Sequence, residues 1–211
     1  MEVHPPHEPV HSWRDALIHI GLMTIGLFIA LMLEGVVEYL HHKELVHQAR
    51  ENIRRELEDN HKAATADVMY LSENAGKVKA GLEALRYART HPDAHNLSVE
   101  FVMTFSDLSD TAWRTARDTG ALGYMPYDEV QRDAGLYASQ DRVSNQALGI
   151  LQREAEALAP ILAANEHFEN IPAAQYDEML RSDAANYEDV TILKQMVQNL
   201  DEQYVDALKA H

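Results

Sequence analysis

Residues 16–33 read ALIHIGLMTIGLFIALML, 18 positions without a formal charge and with His19 and Thr24 as the polar exceptions. At 1.5 Å rise per residue a helix of this length covers about 27 Å, close to the ~30 Å hydrocarbon thickness of a bilayer. Trp13 and Tyr39 fall at the two edges, where amphipathic rings collect. The stretch predicts a transmembrane helix over 13–40. A buried helix of a soluble bundle is the competing reading, since 18 apolar residues lie near the lower limit for a span. A cleaved signal peptide fits less well, because no basic region leads the segment and Leu33-Glu34-Gly35 is a poor small-residue cleavage site.

Away from this segment the chain reads as water-soluble. Its 211 residues carry 18 Lys+Arg against 34 Asp+Glu, a formal charge of −16, and 46% are hydrophobic. That apolar share supports a folded core, and the length allows one domain or an anchor plus one domain. The acidic balance repels phosphate backbones, so nucleic acid is not an expected partner. With no cysteine, disulfides, thiolate metal sites, cysteine nucleophiles and covalently attached c-type haem are excluded. From Lys62 onward there are 13 basic and 24 acidic residues, so −11 of the −16 lies there, as expected for a solubilising surface.

Residues 1–12, MEVHPPHEPVHS, hold three prolines and three histidines and are expected to form a flexible tail. No proline occurs from Trp13 to His91, and Leu40, Leu45, Ile53, Leu57, Val68, Leu71, Val78, Leu82 and Leu85 recur at helical spacing. The anchor is therefore expected to continue as a helical stalk over 41–91. Unbroken, the helix would measure about 118 Å, so a bend or turn is expected at Asn60 or Asn74-Ala75-Gly76. Beyond His91-Pro92-Asp93 the predicted pieces are VEFVMTFSDL capped by Ser98, TAWRTARDTGAL capped by Ser109 or Asp110 and ended at Gly120, and Tyr127 to Asn165 with a break at Pro160. IPAAQYDEMLRS, with Pro172 in its first turn, and a separate helix from Ala184 to Ala210 complete the set. No stretch alternates like a strand. The expected fold is all-α: one N-terminal transmembrane helix extended as a stalk, then an antiparallel helical bundle over 92–211 whose neighbours are joined by short loops.

Several residues carry candidate chemistry. Glu34 and Glu38 lie i,i+4 where the apolar run gives out; a charge at the helix centre costs about 2.5–3.5 kcal/mol and normally faces a partner or a cavity. Inside the hydrocarbon Glu34 would bind a cation or relay protons; at the headgroups it would cost little. Gly26 and Ala30 form a small-xxx-small pair on the same stripe, which lets backbones approach. Glu38/His41, Glu44/His47 and Glu58/His61 each have the i,i+3 spacing of carboxylate-bridged metal bundles, but on one helix they converge only in an oligomer. His4, His7 and His11 are candidates for loose metal binding, and His19 for a haem axial position. Trp113, Tyr124, Met125 and Tyr127, around a glycine-bearing turn, form a candidate docking surface, with core closure as the alternative. There is no phosphate loop, nucleophile elbow or His-Glu-x-x-His, so no catalytic residue is assigned.

Met1-Glu2-Val3-His4 with His7 and His11, the run from Gly26 to Leu31 leading to Glu34, Arg55-Glu56-Leu57 to Asn60, and Thr111-Ala112-Trp113 to Leu122 together resemble an uncharacterised group of bacterial single-pass membrane proteins. The similarity covers about the first 130 residues. It implies a His-bearing tail, one hydrophobic helix and a helical region outside the membrane, and it brings no known activity. Basic residues before the anchor in that group imply a periplasmic domain; here Arg14 alone is present, and a count of basic flanks favours the cytoplasm instead. The resulting expectation is a non-enzymatic inner-membrane protein with a periplasmic domain and no required cofactor. It would contact lipid and self-associate or join a larger membrane assembly. The alternatives are an oligomeric proton or cation channel lined by Glu34, and a metal or haem protein using the histidines of the first 61 residues.

Overall fold

The computed structural model describes residues 12–91, 104–163 and 171–210. Among them every regular element is helical: α1 (Trp13–Thr90), α2 (Thr111–Asp118), a short 3₁₀ turn (Ala121–Tyr124), α3 (Tyr127–Ala163) and α4 (Ala173–Ala210). The chain divides into two compact units, Met1–Gln48 and Ala49–His211, with α1 contributing to both. The tail over 1–11 lies outside the described residues.

In the first unit the helix starts at Ser12, whose carbonyl accepts from Asp15 N and Ala16 N and whose hydroxyl accepts from Arg14 N at 3.2 Å. The helix is long and apolar enough to cross a membrane: an 18-residue window of it has a mean hydropathy of 2.4, and none of that window is buried. Its two polar interruptions are turned onto the helix backbone. Thr24 Oγ1 donates to the Ile20 carbonyl and His19 Nδ1 bonds the Asp15 carbonyl, each at 2.8 Å. This removes the cost of unpaired polar groups in an apolar medium.

The second unit is organised by a seven-residue repeat. On α1 the buried positions Leu57, Asn60, Ala64, Asp67, Leu71, Asn74, Val78, Gly81, Leu85 and Ala88 follow a strict three-four spacing. Leu136, Gln140, Val143, Ala147, Ile150, Glu154 and Ala157 do the same on α3, as do Tyr176, Met179, Asp183, Asn186, Val190, Leu193, Val197, Leu200, Tyr204 and Ala207 on α4. Such spacing keeps one seam per helix facing its partners, as in coiled coils. Most of these residues are apolar and supply the burial that stabilises the unit.

Hydrogen-bonded pairs give the helix directions. Gln140 with Tyr204 and Glu154 with Asn186 place α3 and α4 in opposite senses. His61 with Asp201 and Arg89 with Asp177 do the same for α1 and α4. Arg50 with Glu129, Glu56 with Tyr137 and Asn60 with Gln140 rise together, so α1 and α3 are parallel rather than antiparallel neighbours. Residues 91–126 intervene between these two helices, in place of a short loop.

Other expectations change for identifiable reasons. Asn60 and Asn74 do not break α1; both are buried seam positions of one continuous helix. Ala49–Thr90 belongs to the second unit and walls its core, instead of standing apart as a stalk. Pro160 lies inside α3, close to its end at Ala163, and Ser182–Ala184 continue α4 without interruption. Of the predicted Ser98-capped helix, 98–103 lie outside the described residues, and 104–110 are not helical. The cause is competition for backbone amides: Asp67 takes Ser106 N, and Asn60 takes Ser109 N.

Candidate functional site

With Gln140 of α3, Glu56 of α1 is one of the two most connected side chains among the described residues of the second unit. Its Oε2 accepts from Ser109 Oγ at 2.7 Å and from Ala112 N at 2.8 Å, and its Oε1 accepts from Tyr137 Oη at 2.7 Å and from Trp113 N at 3.4 Å. Asp110, the residue at the α2 N-cap, makes no side-chain cap, so a carboxylate from another helix satisfies the first free amides of α2. The helix then ends as its sequence predicts. Gly120 takes φ +79°, a left-handed conformation suited to glycine, and donates to the Arg117 carbonyl.

Two seam residues continue the network. Asn60 Nδ2 donates to the Ser109 carbonyl at 2.7 Å and to Gln140 Oε1 at 3.1 Å, while Asn60 Oδ1 accepts from Ser109 N at 2.9 Å. Gln140 Nε2 donates to the Leu108 and Ser109 carbonyls, and its Oε1 also accepts from Tyr204 Oη at 2.7 Å. One repeat further along α1, Asp67 accepts from Ser106 N and Oγ. Burial raises the Asp67 carboxyl above its ordinary range, against the opposing pull of the Ser106 bonds. These side chains bind the non-helical segment 104–110 to the helices through its backbone groups.

Beside Glu56 the rings of Trp113 and Tyr137 stack at 5.2 Å with an interplanar angle of 17°. They line a groove of about 420 Å³ whose polar rim includes Asp110, Arg114, Arg117 and Asp141. Arg114 lies 3.6 Å from Asp110 and Arg117 3.0 Å from Asp118, so both guanidinium groups are already compensated. Burial, followed by the hydrogen bond to Glu56, pushes the Tyr137 phenol far above its ordinary range. Tyr137 is thus a fixed hydrogen-bond donor, and the groove is suited to stacking and polar contact rather than proton transfer.

The docking residues separate. Trp113 is half-buried in this groove, Met125 is buried, and Tyr124 and Tyr127 are exposed, with the Tyr127 hydroxyl accepting from Gln131. In the first unit Gly26, Ala30, Glu34 and Glu38 lie along the exposed helix surface, and a Cβ built on Gly26 meets nothing within 4 Å. The three Glu/His pairs are not drawn together. Glu38 lies 3.9 Å from His42, whose ring is tilted against that of His41. Glu44 accepts from Gln48, His47 is exposed, Glu58 pairs with Arg54, and His61 bonds Asp201 at 2.6 Å. Among the described residues no three His, Asp or Glu side chains are placed to hold a metal; His4, His7 and His11 lie outside them.

Sequence reasoning missed Glu56, Asn60, Asp67 and Gln140. The seven-residue interval between Asn60, Asp67 and Asn74 was the available signal. No family model matches this chain, and comparison with curated proteins and with solved structures gave no match either.

Proposed function

We propose that the chain is a non-catalytic, membrane-anchored subunit: residues 13–40 cross the bilayer, and the second unit is an extramembrane helical bundle. The observation that carries this reading is that none of the apolar window in α1 is buried. A continuous apolar surface of this size is unfavourable in water, at about 25 cal/mol per Å², and marks contact with lipid or another protein. The self-paired His19 and Thr24 suit a hydrocarbon surrounding. The open backbone at Gly26, one turn from Ala30, suits close approach of a second anchor or of another membrane helix. Glu56, the best-connected acid of the bundle, is fully engaged in joining helices, which favours an assembly role over chemistry.

In this reading the location is a bacterial inner membrane with the bundle on the periplasmic side. The full chain should remain in the membrane pellet after alkaline carbonate extraction and enter solution with mild detergent. Recovery in the soluble fraction without detergent would overturn the anchor. Mass measurement in detergent tests self-association or a partner, and a compartment-sensitive reporter after His211 tests the side.

A further inference from the structure

At the Glu56 end of the second unit the buried polar groups are matched donor to acceptor; between α3 and α4 one layer is not. Glu154 of α3 and Asp183 of α4 are 4% and 6% exposed, and both occupy inward seam positions. Asn186, fully buried one turn from Asp183, donates through Nδ2 to Glu154 Oε2. Its Oδ1 finds no hydrogen-bond partner among the described residues. Two acids therefore share a layer whose remaining hydrogen bonds are incompletely matched, since Asn74 Nδ2 of α1 and Arg153 Nε of α3 are also buried without a partner among the described residues.

No cation among the described residues is paired with either acid. Arg153, next to Glu154, donates through Nη2 to Asp189 at 2.6 Å while its buried Nε finds no partner among the described residues, and Gln146 donates to the same carboxylate. On α1, between the pairings His61–Asp201 and Arg89–Asp177, the buried acid is Asp67, held by Ser106, and the other buried positions, Asn74 among them, carry no charge. Lys77 pairs with Glu73 at 2.8 Å, while Lys79 and Arg86 are exposed, as are the acids Glu156 and Glu178. Burying two facing carboxylates without a counter-charge is strongly unfavourable. A single proton relieves the layer, because it removes one of the two like charges and turns one acid oxygen into a donor.

We propose that Glu154 and Asp183 form a proton-operated latch between α3 and α4, closed while a proton is held in their layer and loosened when it leaves to solvent. A cleft of about 320 Å³, lined in part by Ala157, Pro160 and Met179, opens one helical turn away and gives the proton a route. Pro160 also removes one backbone donor from the last turns of α3, which eases opening there. Burial, and for Glu154 the neighbouring Asp183, raises the acids to about 7 and about 6 respectively. Both bind protons more tightly folded than unfolded. Their layer is therefore uncharged and unpenalised at acid pH, and stability is lost as pH climbs from the ordinary carboxylate range through these values.

The test is amide exchange on the full chain in detergent at several pH values, corrected for intrinsic exchange rates. Between pH 5.5 and 8, peptides over 147–160 and 179–190 should lose protection at least tenfold, while peptides over 129–143 stay constant. Glu154→Gln and Asp183→Asn replace each acid with a neutral isostere and should each flatten the dependence. If Glu154→Gln fails to fold, a carboxyl-carbon titration decides: the Glu154 midpoint should lie near neutrality in the parent chain and fall in Asp183→Asn. Constant protection across the range, an unchanged dependence in the variants, or a Glu154 midpoint in the ordinary carboxylate range overturns the latch.

Discussion

The Glu56 carboxylate on α1 accepts the phenolic hydrogen of Tyr137 on α3 at 2.7 Å while also holding the Ala112 amide of α2 at 2.8 Å. One acid thereby joins its own helix to two helices that begin more than 50 positions beyond it. Replacing it with Gln keeps the shape but turns an amide group toward donors. Loss of two charge-assisted bonds should cost about 2–4 kcal/mol, whereas Tyr137→Phe should cost about 1 kcal/mol. Urea unfolding of the full chain in detergent, followed through the near-ultraviolet signal of Trp113, measures both; equal midpoints for parent and Glu56→Gln would contradict the linkage.

Asp67→Ala should release the segment 104–110 from α1. The Ser106 amide, now bonded to the Asp67 carboxylate, should exchange at least tenfold faster, with a stability loss of about 1–3 kcal/mol. Hydrogen exchange at Ser106 measured alongside Ser109, which Asn60 holds, separates local release from general loosening.

Arg50 Nε and Nη2 reach the two oxygens of Glu129 at 2.7 and 2.6 Å, a fork that the single ammonium of lysine does not reproduce. Arg50→Lys should lower the unfolding free energy by about 1 kcal/mol despite the unchanged charge. A denaturation midpoint identical to the parent's would show that the second bond adds nothing.

At Gly120 the +79° φ makes Gly120→Ala a backbone experiment, since a Cβ there meets no atom within 4 Å. A penalty of about 1 kcal/mol is expected from conformation alone. Gly120→Asn should recover part of it, and calorimetry of the two variants provides the comparison.

For the anchor, Ile25→Arg places a charge near the middle of the apolar window, at an insertion cost of about 2.5–3.5 kcal/mol. Pairing it with Leu22→Arg should move most of the chain out of the carbonate-resistant pellet. Retention of the double variant would point to burial against protein instead of lipid.

The apolar helix was legible because 18 uncharged residues admit few other readings, and the all-helical character followed from the missing strand periodicity. Gly120 was legible for the same local reason, as a residue suited to a left-handed helix end. Asn60 and Asn74 misled, because asparagine is common in turns and its helical cost is small beside the seam contacts of Leu57, Leu71 and Val78. The capping role of Glu56 was not local at all: its partners lie more than 50 positions away, and nothing near it in sequence announces them. Trp113 stood out in the sequence, yet its stacking partner Tyr137 comes from the interior of a long helix, where only tertiary packing selects it.

A sevenfold repeat has an inherent ambiguity, since sliding one helix by a full period restores its greasy rows to equivalent places. Asn60 abolishes that degeneracy. Were α1 displaced by one period so that Asp67 took its place, the carboxyl would confront the Ser109 carbonyl and Gln140 Oε1, both of which Asn60 now serves as donor, and it could answer only one of them, and only after taking up a proton. The shifted arrangement is penalised by repulsion rather than merely left unrewarded, so these few amides and acids act as a ruler that tells the hydrophobic rows where to stop.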